Sequence, residues 1–256
     1  MIELSLIGIG SGGADHPTLQ ALAALRRAQL VLIPRKGADK SDLAELRHAL
    51  CARYVEDLTR VVEFDMPVRQ ADAHDYLDAV ASWHTEIASI WERMILRHLP
   101  AGGRVALMVW GDPALYDSSL RIAERLRTSG MDLRVELIPG LSSLQLLTAA
   151  HGVALNTLGG EVLITTGRRL RARGWPHDID TVVVMLDGTC AFRDMDPSGL
   201  WIYWGAYLGM PQQLLLSGAL AETAESIVRQ RAQARAEQGW ILDIYLLRRI
   251  DQAAAG

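Results

Sequence analysis

A chain of 256 residues, half of them hydrophobic and 22% charged, is long enough for two modest domains or one large one, and neither disordered nor low in complexity. A formal net charge of −4 gives no global basic field for nucleic acid. Cys51 and Cys190 lie far apart without a CxxC spacing, which argues against a zinc site or a disulfide framework; no apolar run nears the ~18 residues of a membrane span and no basic leader opens the chain, so no transmembrane helix and a reducing cytoplasm are expected.

In chain order, Ile2 to Ile9 reads as a buried strand, followed by Gly8-Ile9-Gly10-Ser11-Gly12-Gly13. The letters satisfy G-x-G-x-x-G, but a dinucleotide helix should begin inside that motif. Here Pro17 predicts a later start, with Asp15 or His16 as cap. A second strand, Gln29 to Ile33, ends at Pro34-Arg35-Lys36-Gly37, where two bases could meet a 2′-phosphate or a carboxylated ligand, or simply be solvated. Helical spacing follows over Ser41 to Cys51, then a short strand at Arg60 to Phe64, then a long amphipathic helix over Asp72 to Leu99. The histidines of that helix, His74, His84 and His98, share no metal-binding spacing.

Val105 to Trp110 is a continuous apolar run, the pattern of a strand buried on both faces of a parallel sheet. It stops at Gly111-Asp112-Pro113, and a helix carrying Leu120, Ile122, Ala123 and Leu126 runs on to a stop at Gly130. Gly-Asp-Pro therefore stands at the carboxyl end of a central strand, where open α/β sheets bind ligands. The strand Arg134 to Ile138 leads to Pro139-Gly140-Leu141-Ser142-Ser143, two hydroxyls opening a helix over Leu144 to Ala150.

Beyond it, Glu161 to Thr166 is a strand leading into Arg168, Arg169, Arg171 and Arg173, either a solvated face or a wall for anions. Further strands are expected at Thr181 to Leu186, Leu200 to Trp204 and Trp240 to Leu247, with a helix over Ala219 to Gln238. The excess of strands predicts a mixed sheet. The reading is two α/β domains, 1–116 and 117–256, with the division near Tyr116 to Ser119.

Several of these loops together resemble the tetrapyrrole methylases, S-adenosylmethionine-dependent enzymes of corrin and sirohaem synthesis. Gly8-Ile9-Gly10-Ser11-Gly12 is similar to the family's G-x-G-P-G loop, with Ser11 in place of proline. Trp110-Gly111-Asp112-Pro113-Ala114-Leu115-Tyr116 resembles its Gly-Asp-Pro signature, and Pro139-Gly140-Leu141-Ser142-Ser143 its Pro-Gly-x-Ser-Ser signature, with His151-Gly152-Val153-Ala154-Leu155-Asn156 after it. Val109 to Ser118, Thr165 to Leu170, Trp204 to Gly209 and Gly239 to Asp243 narrow the resemblance to the branch that methylates C1 of precorrin-5 while releasing its acetyl group as acetate.

The resemblance implies a homodimer of two-domain α/β subunits (a class III methyltransferase fold), the cofactor folded in a cleft between the domains, and no metal. It carries cofactor binding to Gly10, Trp110, Gly111, Asp112, Leu115, Ser142, Ser143, Leu186, Asp187, Ala206 and Tyr207, although the family often has methionine where Asp187 stands. Gly10 and Ser11 would border the substrate trough. Hydrolysis of the acetyl group needs a base for water and a donor for the oxyanion; Asp15, His16 and Asp112 are the candidates for the base. Arg35, Lys36, Arg168 and Arg169 are candidates for the substrate's carboxylates, which guanidinium forks match. The rivals are a methylase for another ring position without deacetylation, an NADP-dependent reductase and a non-catalytic ligand-binding module.

Overall fold

The computed structural model describes residues 1–35, 41–68 and 76–250, the side chains of 41–44 and 76–77 apart. The chain divides into two compact units, Met1–Ser142 and Ser143–Gly256. The first contains β1 (Ile2–Gly8), α1 (Leu19–Arg27), β2 (Leu30–Arg35), α2 (Ser41–Tyr54), β3 (Val61–Asp65), α3 (Tyr76–His98), β4 (Gly103–Val109), α4 (Ser119–Thr128) and β5 (Leu133–Ile138). Its sheet is parallel throughout, in the order β3-β2-β4-β1-β5.

The continuous apolar runs of β2 and β4, and the end of β1, are explained by helices on both faces. Ile2, Leu4 and Leu6 alternate with Ile7 and Ile9 across the sheet. The first set joins Leu32, Leu107, Trp91 and Ile122 in one core, the second joins Val31, Met108, Leu25 and Cys51 in another. Pro34 is tolerated within β2 because the pairing with β4 covers only Leu30 to Leu32, so no ladder bond to β4 is lost there.

Two expectations change in this unit. The cap of α1 is Thr18, whose hydroxyl accepts from the Ala21 N–H at 3.1 Å. Neither Asp15 nor His16 caps it, and Pro17 precedes the cap instead of opening the helix. The division after Tyr116 also moves: β5 pairs with β1 from Ile2↔Leu133 to Ile7↔Ile138, and α4 buries Ile122, Ala123 and Leu126 in the core of the same unit. Residues 117–142 thus belong with the first sheet.

The second unit contains α5 (Ser143–His151), β6 (Val162–Thr166), α6 (Gly167–Arg173), β7 (Thr181–Met185), β8 (Leu200–Ala206), β9 (Leu214–Ala219), α7 (Leu220–Gln238) and β10 (Asp243–Arg249). The sheet order is β6-β7-β10-β8-β9. Only β6 and β7 are parallel, so the sheet is mixed as the strand excess predicts. β9 escapes sequence reading because its three leucines give way at once to Ser217-Gly218. Its order comes from six residue pairs with β8.

A buried charge cluster ties α7 to this sheet. Arg231 Nε donates to Asp243 Oδ2 at 2.8 Å, Trp204 Nε1 donates to the same oxygen at 3.0 Å, and an Arg231 terminal nitrogen reaches the Asp187 carbonyl at 3.0 Å. The ion-pair side chains are only 11% and 9% exposed. Asp243→Ala would leave Arg231 charged and unpaired, and is expected to cost about 3–5 kcal/mol, read as a lowered urea midpoint. The double variant Arg231→Met, Asp243→Leu should lose less than Asp243→Ala alone, because no buried charge is stranded.

Candidate active site

In the first unit three loops meet at the carboxyl ends of neighbouring strands β4, β1 and β5. Gly10 and Gly111 form an antiparallel bridge: Gly111 N–H donates to the Gly10 carbonyl at 2.8 Å and Gly10 N–H to the Gly111 carbonyl at 3.3 Å. Gly8 and Gly140 close the third side. A Cβ on Gly8 would stand 2.5 Å from the Gly140 nitrogen, and one on Gly140 would stand 2.3 Å from the Gly111 carbonyl oxygen. Backbone is packed against backbone here, and only glycine permits it.

Asp112 fastens the arrangement. Its Oδ1 accepts from the Ala114 N–H at 2.8 Å and its Oδ2 from the Gly140 N–H at 2.9 Å, so one carboxylate joins the loop after β4 to the loop after β5. The Leu115 N–H donates to the Asp112 carbonyl at 3.2 Å. Gly111 takes φ +69°, and a Cβ there would meet only Ser11 Oγ and Ser142 Cα, both at 3.9 Å. Ser11 and Ser142 are both buried, and Trp110 is half-buried. Gly10, Ser11, Trp110, Gly111, Asp112, Leu115 and Ser142 are therefore gathered in one place; Ser143 opens the second unit as the first residue of α5.

The three candidates for a base have different surroundings. Asp15 is 90% exposed and faces Arg53 at 3.3 Å. Asp112 has both oxygens engaged by backbone N–H groups. His16 lies over the glycine loop, where its Nδ1 accepts from the Gly13 N–H at 3.2 Å. Burial lowers its pKa from the ordinary imidazole value, against an opposing pull from Asp15.

In the second unit, Leu186 follows β7 with φ +53° and stays 63% exposed, and Tyr207 follows β8 with φ +50°. Left-handed backbone at a branched or bulky residue is strained and persists only where its surroundings dictate it. Around Leu186 the constraint is Asp187. Its carboxylate is buried and accepts from Thr189 N–H (3.0 Å) and hydroxyl (3.2 Å), from Ala191 N–H (2.6 Å) and from the Tyr245 hydroxyl (2.7 Å). Burial pushes its pKa up, but the bonds from Tyr245, Ala191 and Thr189 together outweigh that and hold it below the usual carboxylate value. Ala206 is buried, and the Tyr207 hydroxyl turns inward to the carbonyls of Trp240 (2.6 Å) and Ala234 (3.3 Å).

Of the candidates for substrate carboxylates, Arg35 is already paired with Glu63 (3.1 Å) and Asp65 (2.9 Å) of β3. Arg168 and Arg169 stand exposed on α6, while Arg171 of the same helix binds Asp194 and Thr189. Lys36 lies outside the described residues. Sequence reasoning passed over Arg47. It is buried on α2, its Nε donates to the Met108 carbonyl at 3.3 Å, and burial lowers its pKa to about 10, with Asp117 opposing. The signal was available, since position 47 falls among Leu43, Leu46, Leu50 and Cys51 on the apolar face of that helix. Among the described residues no three of His, Cys, Asp and Glu converge as a metal site would need, and no helix is long and apolar enough to cross a membrane.

Parallel strands ending in a glycine-tied loop cluster, followed by a mixed-sheet unit, match a known family. The profile of the tetrapyrrole (corrin/porphyrin) methylases covers residues 3–224, and the chain belongs to that family. A precorrin-6A synthase (deacetylating) from a Sinorhizobium species is 47% identical over 251 residues, 97% of this chain and 96% of the relative. The crystal structure of a cobalamin synthesis related protein (CobF) from Corynebacterium diphtheriae superposes with a TM-score of 0.83 at 36% identity, covering 98% of this chain and all of that one. Uroporphyrin-III C-methyltransferase from Thermus thermophilus, solved with S-adenosyl homocysteine, shares the fold at a TM-score of 0.59 and 19% identity, over 96% of this chain and 91% of its own.

Gly140→Ala should force the three loops apart and lower the urea midpoint. Asp112→Ala should lower stability in the same measurement by about 1–3 kcal/mol, the cost of leaving the Gly140 N–H unmatched.

Proposed function

We propose that the protein is an S-adenosylmethionine-dependent C-methyltransferase of corrin synthesis that methylates precorrin-5 at C1 and releases the C1 acetyl group as acetate, giving precorrin-6A. The observation that carries this reading is the near-full-length identity to a deacetylating precorrin-6A synthase. The segments cited for the branch run from the end of β4 toward α4 (Val109 to Ser118), from β6 into α6 (Thr165 to Leu170), from β8 into the following turn (Trp204 to Gly209) and from α7 to the first residue of β10 (Gly239 to Asp243).

The cofactor supplies an electrophilic methyl group. The residues present suit a nucleoside carrying a sulfonium, which wants backbone hydrogen bonds, an apolar slot and carbonyl oxygens near the cation. Gly111, Leu115 and Ser142 in the first unit, and Leu186, Ala206 and Tyr207 in the second, are the residues to which we assign its binding. Asp187 contributes by shaping the loop at Leu186, since its carboxylate is engaged inward. The same resemblance supports a homodimer.

A dinucleotide-dependent reductase fits less well. Its pyrophosphate would sit where His16 fills the glycine loop, and α1 begins only at Leu19. A methylase for another ring position would transfer methyl without acetate.

Incubation of the purified protein with S-adenosylmethionine and precorrin-5, followed by mass spectrometry, should show methyl gain and acetate release in equal amounts. Methyl gain alone would discard the deacetylating branch. Arg168→Glu is expected to raise KM for the tetrapyrrole strongly with little change in kcat; unaltered kinetics would remove Arg168 from the substrate site.

A further inference from the structure

The glycines of the first loop have a use that the resemblance does not explain. Gly10 takes φ +78°, and a Cβ on it would lie 2.4 Å from the His16 Cβ. A Cβ on Gly13 would lie 2.5 Å from His16 Nε2. These two positions of the G-x-G-x-x-G match are bare because an imidazole lies against them, where a dinucleotide loop would receive a phosphate. The ring is pinned in a short turn: His16 N–H donates to the Gly13 carbonyl at 3.1 Å, and Gly13 N–H donates back to His16 Nδ1 at 3.2 Å.

A backbone N–H cannot give up its proton, so Nδ1 must keep its lone pair. The imidazole is then neutral and carries its proton on Nε2. Among the described residues no protein acceptor receives that proton. The ring belongs to the loop bridged to Gly111, beside the Gly-Asp-Pro signature.

Resting on the deacetylating reading, we infer that His16 is the hydrogen-bond donor to the acetyl oxygen during deacetylation, and not the base that activates water. Water adds to the acetyl carbon, one of its protons passes to solvent, and the carbonyl oxygen becomes an oxyanion facing Nε2–H. As the carbonyl re-forms, the bond from C1 to the acyl carbon breaks. Acetic acid leaves and ionises to acetate, and the electron pair stays on the macrocycle to form the new bond from C1 to methyl. His16 keeps its proton throughout. Its depressed pKa, caused by burial, agrees with a donor that stays neutral at working pH.

Two measurements test this. Nitrogen-15 spectra of the histidine-labelled wild-type protein, with the His16 signals identified by their loss in His16→Gln, should show the Nε2–H tautomer at neutral pH. A proton on Nδ1, or an imidazolium, would overturn the inference without any assay. In single turnovers scored for acetate, His16→Ala should slow deacetylation about 10²–10³-fold. His16→Gln, which can place an amide N–H near the Nε2 position but cannot act as a base, should retain most of the rate. Equal loss in both variants would make His16 a base, and no loss in His16→Ala would remove it from the chemistry. A wild-type enzyme that releases neither product would instead overturn the functional reading, and the donor role with it.

Discussion

The first unit depends on one steric constraint, the contact of bare backbone among Gly8, Gly111 and Gly140. Adjacent strands of a parallel sheet bring their carboxyl ends within reach of one another, but side chains ordinarily keep the following loops apart. Here three loops close to a separation that no Cβ allows, and the Asp112 carboxylate locks two of them by accepting from both. Glycine carries an entropic penalty of roughly 0.5–1 kcal/mol relative to alanine in regular structure. The penalty is offset by a cluster whose polar groups are backbone atoms held in register by strand pairing. Such a surface is rigid and hard to alter by substitution.

The second unit reaches a comparable result by other means. Leu186 and Tyr207 hold left-handed backbone without glycine, so side chains must supply the constraint. Asp187 collects bonds from the loop that follows it and from Tyr245 of β10, while Arg231 of α7 holds the Asp187 carbonyl and the Asp243 carboxylate together. The segments Trp204 to Gly209 and Gly239 to Asp243, which distinguish the branch in sequence, contact each other directly. Trp204 bonds Asp243, the Tyr207 hydroxyl bonds the Trp240 carbonyl, and the rings of Tyr207 and Trp240 meet edge to face with centroids 5.0 Å apart. In this unit, residues that mark the branch build the scaffold beneath the loop ends.

Much of this was legible in the sequence, and the failures have physical causes. Among the described residues, apolar patterning and its stops located nine of the ten strands; β2, β4 and β7, buried along most of their length, leave the most continuous signature. β9 was missed because its order derives from pairing with β8 and not from its own composition. The domain division was misplaced because Gly-Asp-Pro ends a strand convincingly, while nothing local announces that Leu133 to Ile138 returns to pair with β1. Among the site residues, loop membership was readable but side-chain direction was not. Arg35 is held by Glu63 and Asp65, Asp187 faces inward, and His16 bonds its own loop. Each depends on contacts that local spacing does not encode.

The position of β10 has a consequence for how the polypeptide acquires its shape. β10 lies between β7 and β8, so it completes the centre of the second sheet although every other strand among the described residues precedes it in sequence. Until residues 243–249 have been synthesised, β6-β7 and β8-β9 are two separate ribbons, each with an unpaired edge, and Asp187 lacks its Tyr245 partner. The first sheet, whose final strand ends at Ile138, can be whole by then. Synthesis from the N-terminus therefore allows one unit to mature on the ribosome while the other waits for its keystone. The loop at Leu186, although made much earlier, cannot receive the bond from Tyr245 to Asp187 until then.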